Sequence, residues 1–136
     1  MTHKLDQTET MKNQRQETGR KGEEEACRYL TGKGHLVVER NWRSSHLETD
    51  IITVDPEGVH FVEVKSRKAP VMADPEVNVG YDKRRRMVAA ALSYLHSDGK
   101  EWMRDNEVFF DVLTVVFDQD RIDIEYYPQA FIPLYV

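Results

Sequence analysis

The sequence predicts a single α/β domain, and three observations carry that prediction. Apolar residues recur at helical spacing in two places, Ala26, Tyr29 and Leu30, then Met87, Val88, Ala91, Leu92 and Leu95. Between and after them run short stretches rich in Val, Ile and Phe, bounded by Gly, Pro, Asp and Ser. The length of 136 residues suits one core, and neither an internal repeat nor a linker divides it.

Residues 1–16 are Gln/Thr/Lys-rich and lack periodicity, so they read as a flexible tail before a domain spanning residues 17–136. A helix is expected over residues 17–33, stopped by Gly32 and Gly34. Residues 35–43, with Leu36-Val37-Val38, read as a strand, and Ser44-Ser45 as its turn. Residues 48–54 form a second strand around Ile51 and Ile52. Asp55-Pro56-Glu57-Gly58 is a turn in which Pro presets φ and Gly closes. It leads to a third strand, residues 59–65, so the two should form an antiparallel hairpin. Residues 66–80, with Pro70, Pro75 and Gly80, read as a loop. A second helix is expected over 82–96, broken by Asp98-Gly99. Residues 108–117 read as a central strand and 121–127 as an alternating one ended by Pro128. The apolar run from Phe131 should dock on the body.

Composition excludes several classes. No apolar stretch approaches the roughly 18 residues of a membrane span, and the start has no apolar leader core. The one cysteine, Cys27, excludes an internal disulfide and a thiolate zinc site, so a reducing, cytoplasmic setting is expected. The five histidines show no HExxH or HxxxH spacing. With Lys+Arg 19 against Asp+Glu 24 the net charge is −5. Yet Lys65, Arg67, Lys68, Lys83, Arg84, Arg85 and Arg86 cluster in one part of the chain. They are either a phosphate-tracking face or the wet side of a helix.

The third strand carries Glu63-Val64-Lys65. Alternation puts Glu63 and Lys65 on one face beside Phe61, with Val62 and Val64 turned into a core. The short turn can bring Asp50 across from Glu63. Two carboxylates and an ammonium suit Mg²⁺-assisted phosphodiester hydrolysis, and a solvated ion pair on a strand is the competing reading. Glu48, two residues from Asp50, reads as a support for a ligand. His46 reads as an exposed turn residue, Cys27 as partly buried packing, and Trp42 and Trp102 as covers of a core edge. Asp111 reads as a hydrogen-bond partner of backbone.

Several motifs stand in a fixed order: Gly22-Glu23-Glu24-Glu25-Ala26 with Tyr29-Leu30, Arg40-Asn41-Trp42-Arg43, and Glu48-Thr49-Asp50-Ile51-Ile52. Phe61-Val62-Glu63-Val64-Lys65-Ser66-Arg67, Lys83, Phe110-Asp111-Val112 and Ala130-Phe131 follow. From about residue 19 to 131 this resembles the YraN-like family of small bacterial proteins, predicted nucleases of the restriction-endonuclease-like superfamily. The resemblance implies a three-layer α/β/α fold with a mixed central sheet of about five strands. It places the superfamily's Asp…Glu-x-Lys signature on Asp50, Glu63 and Lys65, and, as in archaeal Holliday-junction resolvases, adds Glu23 from the first helix. Asp50, Glu63 and Glu23 would bind Mg²⁺, with Mn²⁺ as a substitute, and Lys65 would position water. Leu47 and Thr49 depart from the family's Gly-Glu-Ile-Asp. The expected partner is DNA, branched if a homodimer presents two sites, with Arg67, Lys68 and residues 83–86 on phosphates. A non-catalytic DNA- or protein-binding module that kept the fold is the alternative.

Overall fold

The computed structural model describes residues 7–71 and 79–133. In chain order the elements are α1 (Gln7–Gly32), β1 (Leu36–Ser44), β2 (Leu47–Asp55), β3 (Gly58–Lys68), α2 (Tyr81–Leu95), the one-turn α3 (Glu101–Arg104), β4 (Val108–Asp118) and β5 (Arg121–Phe131). The five strands form one sheet in the order β1-β2-β3-β4-β5. Only β3 and β4 are parallel, joined through the segment that carries α2 and α3; the other neighbours are antiparallel.

Alternation along the strands gives the sheet two apolar faces. On one, Ala26 and Leu30 of α1 pack against Ile51, Val62, Leu113 and Val115. On the other, Met87, Ala91, Tyr94 and Leu95 of α2 pack against Ile52, Val59, Phe61, Phe110 and Val112. This is the expected three-layer α/β/α arrangement with a mixed sheet. No helix among the described residues is long and apolar enough to cross a membrane.

Several boundaries differ from the sequence expectation. The first helix begins at Gln7, so residues 7–16, expected as flexible tail, are helical. Their apolar residue, Met11, is exposed and sets up no periodicity, but Lys, Gln and Arg are good helix formers continuing a docked helix. Surface pairs at helical spacing, such as Glu17 with Arg20 at 3.2 Å and Lys21 at 3.7 Å, line its exposed side. The third strand continues to Lys68 because β4 offers a parallel partner as far as Lys68↔Phe117. The strand ended at Pro128 in the sequence reading runs on to Phe131. It is an edge strand, where a missing N–H costs no ladder bond, and its register breaks between Phe110 and Val112 of β4. Phe131 docks as expected, stacked on Phe110 at 5.0 Å; residues 134–136 lie outside the described chain. The strand expected as central, β4, is interior, but the middle of the sheet is β3.

Candidate active site

The β2–β3 ladder runs from Asp55↔Gly58 to Ile51↔Val62 and stops there, while β2 stays paired with β1 as far as Leu47↔Ser44. The two strands fork at this point. The Val64 N–H beyond the last pair is taken by the Asp50 carboxylate, Oδ2 accepting at 2.8 Å. Glu63 stands next to it on the α2 side, its carboxylate 3.2 Å from Lys83 Nζ. Lys65 is two residues on along the same face, half-buried.

Burial pushes the Asp50 carboxyl up to about 7, the Glu63 charge adds to the rise, and the Val64 hydrogen bond opposes it. The Glu23 charge on α1 also acts on that carboxyl, less strongly than burial or Glu63. Burial also raises Glu23, against a hydrogen bond from Asn41 and the charge of Arg40. Glu23 is placed by its neighbour: a Cβ on Gly22 would lie 1.7 Å from Ser66 Oγ, so only glycine lets α1 rest this closely on β3. Asn41 was not singled out in the sequence. It stands between the pairs Arg40↔Ile51 and Trp42↔Thr49, across from Asp50, with φ 52°. An asparagine inside a strand-like run was the available signal.

Of the six basic residues, Arg67 and Lys68 line an open groove of about 550 Å³ beside α1, with Glu23 and Arg15 in the same wall. Residues 83–86 lie on the first turns of α2, on the other face of the sheet. Lys83 pairs with Glu63, and Arg84 donates from Nε to the Val79 carbonyl at 2.6 Å while its guanidinium rests over Phe131. Arg85 lies over the Tyr81 ring, and Arg86 is exposed. Glu48 is exposed and pairs with Arg43 at 3.5 Å, reaching the cluster only as a charge felt by Glu23. His46 is exposed and Cys27 half-buried, as expected. Trp42 covers a core edge, its ring against Tyr94 at 5.3 Å. Trp102 does not: it is 55% exposed, because α3 turns Met103 inward instead.

A second cluster was not anticipated. At the turn end of the same hairpin, His35, Asp55 and His60 each offer a ligand atom, all within 4.8 Å of one another, so this group can hold a metal ion. His60 bridges two carboxylates, Nδ1 to Asp111 Oδ2 at 2.7 Å and Nε2 to Asp55 Oδ1 at 2.8 Å. Burial disfavours its imidazolium, but those bonds prevail and raise its pKa. Burial, with the His60 charge, lowers that of His35. Asp111 is fully buried and, as read from the sequence, accepts a backbone N–H, that of Gln129 at 2.8 Å.

The fold is a small α/β/α protein with the Asp50 carboxylate at a strand fork and a His35–Asp55–His60 group at the hairpin turn. Residues 22–115 match the Uncharacterised protein family UPF0102, and the chain belongs to that family. It is 37% identical over 117 residues to the UPF0102 protein of Bacteroides thetaiotaomicron, covering 86% of this chain and 93% of that one. It is 37% identical over 118 residues to that of Myxococcus xanthus (87% and 91% covered). With that of Desulfosudis oleivorans the identity is 41% over 114 residues (84% and 90% covered).

Proposed function

We propose that this protein is a Mg²⁺-dependent DNA endonuclease that hydrolyses phosphodiester bonds, acting on branched DNA as a homodimer. The observation that carries the reading is the crowding of carboxylates at the fork. Asp50 is half-buried beside Glu63 and feels the Glu23 charge, and its carboxyl is raised to about 7. Burial is the larger cause of that rise and the Glu63 charge the second, and a bound cation would offset both by favouring the ionised carboxylate. The donor set of Asp50, Glu63 and Glu23 is all oxygen, which fits a hard ion such as Mg²⁺, with Mn²⁺ as a substitute. Such an ion supplies positive charge that polarises a phosphoryl oxygen and acidifies water.

The chain's own groups do the rest. Val64 N–H fixes the Asp50 carboxylate, and Lys83 holds Glu63. Lys65, on the Glu63 face, orients the attacking water and steadies charge building on phosphorus. Arg67, Lys68 and Arg15 along the groove beside Glu23 hold the flanking phosphates. A two-fold dimer offers two such sites, as a branched substrate requires.

One observation favours the second reading, a non-catalytic DNA- or protein-binding module. The Lys83 ammonium at 3.2 Å already neutralises part of Glu63 without any ion. Incubation with branched, single-stranded and duplex DNA in Mg²⁺ or Mn²⁺ separates the two. Cleavage that disappears in Asp50→Asn supports the nuclease, and binding without cleavage supports the module.

A further inference from the structure

We propose that His35, Asp55 and His60 form a binding site for a divalent transition-metal ion of the zinc class, separate from the acidic fork. His35 Nε2, His60 Nε2 and the Asp55 carboxylate are the ligands, and water completes the set.

Three local structures deliver these side chains. Gly34, with φ +93°, closes α1: its own N–H bonds the Thr31 carbonyl and the His35 N–H bonds the Leu30 carbonyl, both spanning the helix end. That cap turns His35 inward, where it is 8% exposed. Asp55 ends β2, and its Oδ1 accepts the N–H groups of Glu57 at 3.0 Å and Gly58 at 3.1 Å, which fixes the turn and the carboxylate together. His60 follows in β3, paired to Thr53 across the hairpin.

Both imidazoles are oriented from behind, and in the same sense. His60 Nδ1 donates to Asp111 Oδ2 at 2.7 Å, and Asp111 is itself held by Tyr126 OH and by the Gln129 N–H at 2.8 Å. His35 Nδ1 lies 2.6 Å from Thr53 Oγ1, which can accept its proton. Each ring therefore turns Nε2 towards Asp55, His60 at 2.8 Å and His35 at 3.5 Å. A carboxylate or hydroxyl behind each metal-binding histidine is the arrangement that fixes tautomer and ring angle. Ligands about 2.0–2.1 Å from a tetrahedral ion lie about 3.3–3.5 Å apart, so the His35–Asp55 separation already fits. The His60–Asp55 contact needs to open by less than about 1 Å. Two nitrogen donors and one carboxylate select a borderline transition ion over Mg²⁺, which prefers oxygen. The cluster lies at the turn end of the hairpin, five residues of strand from Asp50, about 16 Å at extended rise. Asp55, 14% exposed at its side chain against 5% for His35 and 3% for His60, is where an ion and its water enter.

The test uses the full chain carrying Asp50→Asn and Glu63→Gln, which disables the fork. Titration with Co²⁺ should give the intense visible bands of a four-coordinate ion at one equivalent, displaced by Zn²⁺. Zn²⁺ should raise the melting temperature where Mg²⁺ does not. Adding His35→Gln or Asp55→Asn should weaken Co²⁺ binding at least about tenfold. His60→Ala should abolish it, and because that variant removes a buried bridge, His35→Gln decides should it fail to fold. Absence of Co²⁺ bands and of a Zn²⁺ shift would overturn the site and leave a hydrogen-bond network only. Binding unchanged in His35→Gln and Asp55→Asn would overturn it equally, by placing the ion elsewhere.

Discussion

Replacing Asp50 by Asn removes one charge from the strand fork while keeping an oxygen that can accept the Val64 N–H. In the folded protein the Asp50 carboxyl is raised from its ordinary 3.8 to about 7. A raised carboxylate pKa means that ionisation opposes folding. The cost is absent below pH 4, grows between pH 4 and 7, and is constant above. The interval between 3.8 and about 7 corresponds to at most about 4 kcal/mol at neutral pH, with about 2–4 kcal/mol expected once neighbouring charges readjust. In chelator, Asp50→Asn should therefore raise the unfolding free energy by that amount at pH 8, with the gain shrinking towards pH 4. Urea unfolding at pH 5, 6, 7 and 8 measures it. Adding Mg²⁺ should raise the wild-type midpoint and leave the Asn variant nearly unmoved. A variant destabilised by about 1–3 kcal/mol at every pH, with Mg²⁺ acting alike on both proteins, would instead make Asp50 a structural residue and not a metal ligand.

Other positions should respond differently. Gly22→Ala forces a methyl into Ser66 and should cost about 1–3 kcal/mol of stability, read by thermal melts; on the proposed function, cleavage should also fall as Glu23 is displaced. Arg67→Ala and Lys68→Ala should weaken DNA binding alike on all sequences and flatten the slope of log K against log salt by about one unit per contact; an unchanged slope removes them from the interface. Arg84→Ala should instead lower the melting temperature, since its guanidinium serves the Val79 carbonyl and the Phe131 ring.

What was legible in the sequence follows from which interactions are local. The hairpin was readable because Asp55-Pro56-Glu57-Gly58 specifies its own turn, and with it the approach of Asp50 to Glu63. The reach of β3 to Lys68 was not, because Ser66-Arg67-Lys68 is polar and is held by a partner strand some 50 residues away. The start of α1 was hidden because residues 7–16 bury almost nothing. The His35–Asp55–His60 group shows no metal-binding spacing, since the helix cap, the hairpin and β4 must all be in place before His35, His60 and Asp111 meet. Asn41 and Gly22 matter through the two elements they bring together, which a linear reading sees only as motif letters.

On the proposed function, the fork between β2 and β3 cuts DNA. Single-turnover cleavage of a branched DNA in Mg²⁺, by wild type and by Asp50→Asn, Glu63→Gln and Lys65→Ala in parallel, tests it most directly. The wild-type rate should depend on Mg²⁺ and fall at least about 10²-fold in each variant, the scale for losing one positioned catalytic group. Cleavage at the wild-type rate in all three, or none by well-folded wild type on any branched, single-stranded or duplex substrate, would contradict it.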